Sequence, residues 1–345
     1  TYDPGEDALQ ALDEMEDEIP LLREAVLQGD QEAVERALSQ LAGYELAARQ
    51  ALVANPLLQA IDRLLLVKRP VSSPKLGLPQ NWQGNCSLPR AGFDDEIVTL
   101  APSGVSSMEA FFRPGTPRMI ADVDLHFDAD RMLFSMPDDE ARWQIWELGA
   151  DGTGLRQVTT SEHPAVDNYD ACYRPDGRII FGSTRVFQGV PCVGGADAVA
   201  NLFLLDEEKD TIRQLCFDQD HDWCPTVLNN GRVLFQRWEY SDTPHYFSRL
   251  LFHMNPDGTG IRQLCFDQDH DWCPTVTNDG RVMYSRWEYS DTPHYFTRVV
   301  MRMNPDGTNQ IALYGSNSYW PNSTFYARPI PGHPSKFVGV ISGHH

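Results

Sequence analysis

Hydrophobic positions follow two different periods along this chain, and the change occurs near residue 70. In the first part, apolar residues recur every three or four positions, which places them on one side of a helix. The first such stripe consists of Leu12, Met15, Ile19, Leu22 and Val26, and the second of Val34, Ala37, Leu41, Tyr44 and Ala48. Residues 1–69 are therefore predicted to form an α-helical hairpin.

Local signals divide this hairpin. Gly29 followed by Asp30 is typical of a helix end and the N-cap of the next helix. Asn55 and Pro56 break the second helix, and a short helix through Leu66 is expected to follow. The segment has 14 acidic and 6 basic residues, a net charge of −8. Its acidic face is interpreted as solvated, and a partner-binding coiled coil is the alternative.

The second part of the chain is built from short strands and tight turns. Residues 70–95, rich in Pro, Gly, Ser and Asn, are predicted to be a connector, and 96–345 a β-domain. Four segments share an Asp/Asn-Gly or Asp-containing turn, then Arg, then an apolar run. Such a turn is typical of a hairpin leading into a buried strand. The arginines that mark these segments are Arg131, Arg178, Arg232 and Arg281.

A second type of turn lies between these segments and completes a repeat. It occurs at 150–158 (ADGTGLRQV), 256–264 (PDGTGIRQL) and 305–313 (PDGTNQIAL). Four short strands per repeat of about 50 residues indicate a β-propeller, in which stacked sheets bury each other's faces. We predict an all-β propeller of about five four-stranded blades. Strands from both ends of the domain could form one composite blade, or the chain could be part of a larger ring.

One blade occurs twice. Segments 212–260 and 261–309 differ at 11 of 49 positions and share the unchanged 16-residue string IRQLCFDQDHDWCPTV. The remaining blades share only turn residues and the apolar pattern. The pair therefore indicates a recent duplication, or an error of sequence assembly, in an architecture that tolerates an added blade.

Charge and cysteine content narrow the classes of partner. With 49 acidic against 28 basic residues, the net charge is −21, which disfavours nucleic acid and anionic membrane surfaces as partners. No apolar run is long enough to span a membrane, so membrane insertion is not expected. The seven cysteines are too few for a disulfide framework. Free buried thiols are predicted, although one bridge within each duplicated segment is conceivable.

Several longer strings are distinctive: DVDLHFDADRMLFSM, DGRIIFGSTRVFQGVPCVGG, CFDQDHDWCPTV, RWEYSDTPHYF and YGSNSYWPNSTFYARPIPGHP. They resemble the middle domain of the hydrazine synthase alpha subunit and related TolB-like propellers of planctomycete type, over residues 57–345. The resemblance implies a periplasmic or otherwise extracytoplasmic bacterial protein with further domains. Covalent haem needs Cys-x-x-Cys-His, and because the sequence contains no such motif, covalently attached haem is not expected.

The string DVDLHFD is the first candidate metal site. Strand alternation would place Asp122, Asp124, His126 and Asp128 on one face. If the ring closes through a composite blade, His344 and His345 would lie beside that strand. Cys192 could then add a thiolate from its Gly-rich loop. This mixed ligand set would suit zinc, and the alternative is a network of turn and inter-blade hydrogen bonds.

The duplicated string offers further candidates. Its Asp220, His221, Asp222 and Cys224 could form a calcium site, but no EF-hand spacing follows. A structural hydrogen-bond network is the favoured interpretation. The adjoining loops carry aromatic and histidine side chains that could contact a ligand at the rim of the ring. They are Tyr240, His245, Tyr246, Tyr289, His294 and Tyr295.

These observations predict a non-catalytic scaffold or binding module. It would contact a protein partner or other domains of a longer chain. No nucleophile elbow, P-loop or dinucleotide motif is present. The alternative is a subunit or domain of a redox enzyme like hydrazine synthase, which would contribute a metal site beside a haem held elsewhere.

Overall fold

The structure, a computed structural model, describes residues 6–59, 61–74, 89–101, 108–161, 163–190, 195, 197–238, 249–267, 270–287, 298–315 and 323–341. Packing divides the chain into two compact units. The first contains Thr1–Lys68 and Glu96–Arg113, and the second Arg69–Asp95 and Pro114–His345. The domain limits predicted above remain a prediction.

The first unit contains the expected helical hairpin. Helix α1 (Glu6–Leu27) packs against α2 (Gln31–Val53). Between them Gly29 takes a left-handed φ of 78°. Asp30 Oδ1 then accepts hydrogen bonds from the backbone N–H groups of Glu32 and Ala33, at 3.0 and 3.1 Å. The predicted helix end and N-cap are both confirmed.

The segment after the hairpin differs from expectation. Helix α3 (Pro56–Gln59) ends early, and Leu64–Lys68 forms strand β1 rather than the end of a helix. Strand β1 pairs with β2 (Glu96–Leu100), which pairs with β3 (Met108–Phe112), all antiparallel. The unbroken aliphatic run of β1 can satisfy its backbone groups in this sheet, and that tertiary pairing overrides the helix propensity of leucine.

The second unit is a β-propeller of five antiparallel sheets, which we number as blades 1 to 5. Blade 1 comprises β4 (Ala121–Leu125), β5 (Arg131–Pro137), β6 (Trp143–Gly149) and β7 (Arg156–Gln157). Blade 2 comprises β8 (Asn168–Tyr173), β9 (Ile179–Ser183), β10 (Asn201–Asp206) and β11 (Thr211–Gln214). The duplicated sequence forms the next two blades.

Blade 3 comprises β12 (Asp222–Val227), β13 (Val233–Trp238), β14 (Arg249–Met254) and β15 (Arg262–Gln263). Blade 4 comprises β16 (His270–Val276), β17 (Val282–Trp287), β18 (Arg298–Met303) and β19 (Ile311–Tyr314). In blade 5 the described residues form β20 (Thr324–Pro329) and β21 (Phe337–Ile341). The predicted propeller of about five blades after a helical hairpin is confirmed.

Successive blades stack face to face, as each sheet requires to bury both its faces. Inner strand β8 packs on blade 1, β12 on blade 2, β16 on blade 3 and β20 on blade 4. The second strand of each four-stranded blade inserts a large ring into these interfaces: Phe134, Phe181, Phe235 and Tyr284, all nearly fully buried. Burial of such a side chain stabilises the fold by about 1.5–3 kcal/mol. Among the described helices, none has an apolar stretch long enough to cross a membrane.

A buried ion pair holds the start of the propeller. The Asp95 carboxylate accepts hydrogen bonds from Arg69 Nε and Nη2 and from the Ile120 N–H, at 2.7 to 3.1 Å. Arg69 also donates to the Ile120 carbonyl and lies over the Phe93 ring. Because Asp95 is fully buried, losing its partner would leave an uncompensated charge, which is far more costly than losing an exposed pair.

The Gly of the Asp-Gly-Thr turn in each duplicated segment serves the contact between blades. Gly258 has a φ of 87°, and a Cβ there would lie 2.3 Å from the Leu215 carbonyl oxygen of the preceding blade. Its twin Gly307 would place a Cβ 2.5 Å from the Leu264 carbonyl oxygen. The turns therefore need glycine for two reasons, the backbone conformation and the close approach.

We predict that Gly258→Ala lowers the free energy of unfolding by about 3 kcal/mol or more, because it combines backbone strain with a backbone clash. The matched control is Gly231→Ala, whose φ of 79° is similar but whose Cβ would meet nothing within 4 Å. That control is expected to cost only about 1–2 kcal/mol. Urea unfolding measures both; equal costs would show that the inter-blade approach is not a constraint.

Candidate functional site

All five innermost strands carry one extra residue at the same place. In β4 the register jumps between Ala121 and Asp124, and in β8 between Tyr169 and Cys172. The same jump of three residues recurs in β12, β16 and β20. The second residue of each bulge takes a left-handed φ between 49° and 56°. These five residues, which we call the axial ring, are Asp122, Asp170, Cys224, Cys273 and Tyr326.

Left-handed backbone is strained for residues other than glycine, at about 1–3 kcal/mol each. Its occurrence at one equivalent position in every blade therefore reflects a shared constraint of the ring. The inner strands converge on the axis, and a bulge bends the strand and redirects a side chain where regular pairing cannot continue. Each blade therefore places one residue, the left-handed residue of its bulge, at the axis.

Four members of the axial ring are linked in blade order. The Asp170 N–H hydrogen-bonds to the Asp122 carboxylate and to Ser135 Oγ, the latter at 2.9 Å. The Cys224 N–H donates to Asp170 Oδ2 at 2.5 Å, and the Cys224 thiol also hydrogen-bonds with Asp170. The Cys273 thiol is the first cause of the raised pKa of Cys224, which places the two thiols side by side. The residues of blades 1 to 4 therefore form a chain of neighbouring contacts around the axis.

The cluster is electrostatically unusual. Burial and, as a second cause, the neighbouring Asp170 charge raise the pKa of Asp122 to about 8. Burial also raises the pKa of Asp170 and of Asp124 to about 6, with the Arg328 charge acting in the opposite direction on both. The Arg328 charge, in blade 5, thus acts on carboxylates of blades 1 and 2.

One carboxylate oxygen of this cluster lacks a partner. Asp122 Oδ2 is buried and has no hydrogen-bond partner among the described residues. A buried polar atom without a partner is costly and indicates a bound water, ion or ligand. Asp122, Asp170 and Cys224 are half-buried rather than sealed, which leaves them within reach of small solutes. The cluster therefore combines oxygen and sulfur donors in a half-buried setting.

The bulge separates the residues predicted from DVDLHFD. Asp122 and Asp124 interact with blade 2, where Asp124 Oδ2 accepts the Tyr173 N–H at 3.1 Å. Strand β4 ends at Leu125, and His126 lies in the following turn with Asp128 and Asp130. The extra residue of the bulge moves every later residue of the strand to the opposite face of the sheet. The simple alternation of faces is therefore interrupted.

His126 has a structural environment of its own. Its Nε2 lies 2.7 Å from Arg131 Nη2, and its Nδ1 lies 3.2 Å from the Asp128 backbone N–H donor. Nδ1 faces Asp130 Oδ1 at 3.3 Å and Asp128 Oδ2 at 3.5 Å. The three residues could surround a metal ion, and Arg131 donates to the Asp130 carboxylate at 2.9 Å. The other predicted site residues, Cys192, His344, His345, Tyr240, His245, Tyr246, Tyr289, His294 and Tyr295, lie outside the described residues.

In the duplicated string the structural interpretation is supported. Asp222 accepts two hydrogen bonds from Arg237, at 2.8 and 2.9 Å, and His221 Nδ1 accepts the Ala200 N–H of blade 2 at 3.1 Å. The twin Asp271 accepts two hydrogen bonds from Arg286, at 2.8 and 3.0 Å. These carboxylates neutralise buried arginines, which leaves them poorly suited to calcium.

Sequence reasoning missed Asp170, although a signal was present. The axial residue precedes the marker arginine of its blade by a nearly constant number of positions. The separation is nine positions in blade 1 and eight positions in each of blades 2, 3 and 4. Alignment of the blades on those arginines would have placed Asp170 in register with the two cysteines.

Comparison with known proteins supports the fold. No family model and no curated protein sequence matches the chain. Among solved structures, it resembles hydrazine synthase from Kuenenia stuttgartiensis, with a TM-score of 0.58 and 14% identity, over 81% of this chain and 42% of that one. This chain thus spans less than half of the hydrazine synthase chain. At this identity the likeness concerns the propeller fold alone.

Two further likenesses are weaker. TolB from Acinetobacter baumannii matches with a TM-score of 0.46 and 16% identity, over 64% of this chain and 48% of that one. A puromycin hydrolase matches with a TM-score of 0.47 and 12% identity, over 73% of this chain and 35% of that one.

The raised pKa values predict that stability falls as pH rises. Between about pH 4 and pH 8 the folded protein holds protons on Asp122 and Asp170 that the unfolded chain has lost, so the free energy of unfolding decreases with pH over that window. Asp122→Asn should flatten this decrease and stabilise the protein at pH 8.

Urea unfolding of metal-free protein from pH 5 to 8.5 measures this dependence. Asp151→Asn is the control, because hydrogen bonds from Thr153 lower the pKa of Asp151 and it remains ionised throughout that range. An unchanged slope in Asp122→Asn would contradict the assignment.

Proposed function

We propose that this chain is a non-catalytic binding module of a larger extracytoplasmic bacterial protein, and that it binds zinc at the axial ring. The observation that carries the proposal is the succession of contacts that links Asp122, Asp170, Cys224 and Cys273 across four successive blades. The partnerless Asp122 Oδ2 supports it.

The donor set fits zinc better than a hard cation. Zinc takes four ligands and accepts thiolate sulfur and carboxylate oxygen together. Magnesium and calcium prefer all-oxygen sites with six or more ligands. Asp122, Asp170, Cys224 and Cys273 provide two sulfurs and two carboxylates. A bound divalent cation would supply the positive charge that these acidic groups lack.

Zinc in this position would act on the propeller as a whole. The ring members belong to β4, β8, β12 and β16, so an ion shared between neighbouring members would cross-link their blades at the axis. A metal that binds only the folded state stabilises it. The module would then present a rigid rim to its partner.

Two exposed aromatic side chains support a protein partner. Phe217 and its twin Phe266 are 81% and 78% exposed, at equivalent places on neighbouring blades. Large apolar side chains on a rigid surface are common binding elements. The net charge of −21 favours a partner with a basic surface.

The alternative, a metal site in a redox enzyme like hydrazine synthase, would use the same ring but needs an open coordination position for a substrate. The half-buried state of Asp122, Asp170 and Cys224 is the observation in its favour. Cobalt-loaded protein distinguishes the two functions. A visible spectrum that changes on addition of azide would indicate an open position, and an unchanged spectrum a closed one.

Zinc titration against a chromophoric chelator tests the proposal. We expect reduced, metal-free protein to bind one zinc ion per chain. Asp170→Asn and Cys224→Ser each remove one ligand and should weaken binding about a hundredfold.

His126→Ala is the matched control, because it removes the predicted histidine ligand outside the axial ring and should leave the affinity unchanged. The unfolding midpoint of each variant without metal shows whether it is folded. Failure of the native protein to bind zinc, or loss of binding in His126→Ala, would reject the axial site.

A further inference from the structure

The blade duplication brings two cysteines together at the axis. Cys224 and Cys273 are 49 positions apart, which is the length of the duplicated segment. Each is the second residue of its bulge and has a φ of 50°, and each is followed by proline. The other members of the axial ring are two aspartates and a tyrosine. A single copy of this blade would place only one thiol in the ring, so the pair is a product of the duplication.

The geometry of the pair favours a covalent bond. Inner strands β12 and β16 pack against each other, and the Cys273 thiol is close enough to raise the pKa of Cys224. A disulfide needs Cβ atoms on facing strands that point toward each other. Equivalent bulges with equal φ values place both cysteines at the same position of neighbouring inner strands. The proposed bond therefore joins equivalent positions of two packed strands.

Two other cysteines of the duplicated segments differ in their surroundings. Cys216 and Cys265 are fully buried between strands, and their sulfurs accept the backbone N–H groups of Leu202 and Leu251, both at 3.1 Å. Cys224, by contrast, is half-buried. A reagent that reaches the axis thus meets Cys224, whereas Cys216 and Cys265 are protected by the sheets.

We propose that Cys224 and Cys273 form a redox-active pair that closes to a disulfide and thereby controls the ligand set of the axial ring. The oxidant is a low-molecular-weight disulfide or a disulfide-bearing thiol oxidoreductase. The bond itself does not depend on zinc. Only its consequence, loss of two thiolate ligands, rests on the proposed function.

The reaction balances as two thiol–disulfide exchanges. Cys224 first loses its proton to a base in solution. The thiolate attacks one sulfur of the oxidant, a mixed disulfide forms, and the other sulfur leaves as a thiolate. Cys273 then loses its proton to solvent and attacks the Cys224 sulfur, which releases the second thiolate. Two protein thiols are oxidised and one oxidant disulfide is reduced to two thiols.

The more exposed thiol should react first. Cys273 is only 7% exposed, whereas Cys224 is half-buried. The mixed disulfide is therefore expected on Cys224, with Cys273 as the resolving residue. This order predicts different products from the two single variants.

The full-length chain is reduced, freed of metal and equilibrated with glutathione buffers of increasing oxidised fraction. Free thiols are then trapped with N-ethylmaleimide, and peptide mass spectrometry locates every bond. In the native protein we expect a Cys224–Cys273 cross-link and two fewer trapped thiols. Cys273→Ser should instead accumulate a glutathione adduct on Cys224, and Cys224→Ser should give neither the cross-link nor a comparable adduct.

Cys216→Ser is the matched control, because it removes a cysteine of the same segment and should leave the cross-link unchanged. Circular dichroism and the unfolding midpoint show whether each variant is folded. Persistent trapping of both Cys224 and Cys273 in the native protein under oxidised glutathione would overturn the proposal. A cross-link that joins Cys224 to any other cysteine would overturn it as well.

A zinc titration of the reduced and oxidised proteins separates this inference from the proposed function. If the cross-link forms but reduced protein binds no zinc, the redox pair stands and the zinc function fails. If reduced protein binds zinc but no cross-link forms, the redox pair fails. If both stand, oxidised protein should lose zinc binding by at least a hundredfold.

Discussion

The stacking of sheets around one axis is the constraint on which the rest of this structure depends. Each blade is apolar on both faces, and only its two neighbours can cover them. The stacking brings the innermost strands together at the axis, where a regular strand no longer fits. Every blade responds with the same one-residue bulge and the same left-handed residue. The strain of the axial ring is therefore a consequence of how the core is buried.

This constraint also explains why chemistry concentrates at the axis. A bulge that turns one side chain per blade inward collects residues that are far apart in sequence, from Asp122 to Tyr326. Burial then disfavours charge on the carboxylates, and the pKa of Asp122 rises to about 8. Acidic groups that are held together at such a cost are stabilised by any cation that they can share.

The twin blades show which positions tolerate change. Strands β12 and β16 are identical from Asp222 to Val227 and from Asp271 to Val276. Seven of the 11 differences lie in the second and third strands, at 234–236 against 283–285 and at 250–253 against 299–302. These positions face different neighbouring blades, and cores accept volume-conserving exchanges. The axial strand and its cysteine were kept while the interfaces adapted.

Several features were predictable because they depend on local chemistry. Gly29 and Asp30 specify the break between the helices through backbone conformation and capping. The turns before Arg232 and Arg281 specify hairpins, and their spacing specifies the blade repeat. Strand β1 was not predictable, since Leu64–Lys68 is a strand only because β2 pairs with it.

The sequence by itself determined the helical hairpin, the turn positions, the repeat and hence the propeller, because capping groups, glycines and apolar periods act over a few residues. Only the tertiary structure decided which polar residues meet. Asp122 and His126 are four positions apart, yet the bulge directs Asp122 to the axis, whereas His126 lies in the following turn beside Arg131, the first residue of β5. Asp170 and Cys224 are 54 positions apart and touch, because a bulge is a property of pairing between strands and an axis is a property of the closed ring.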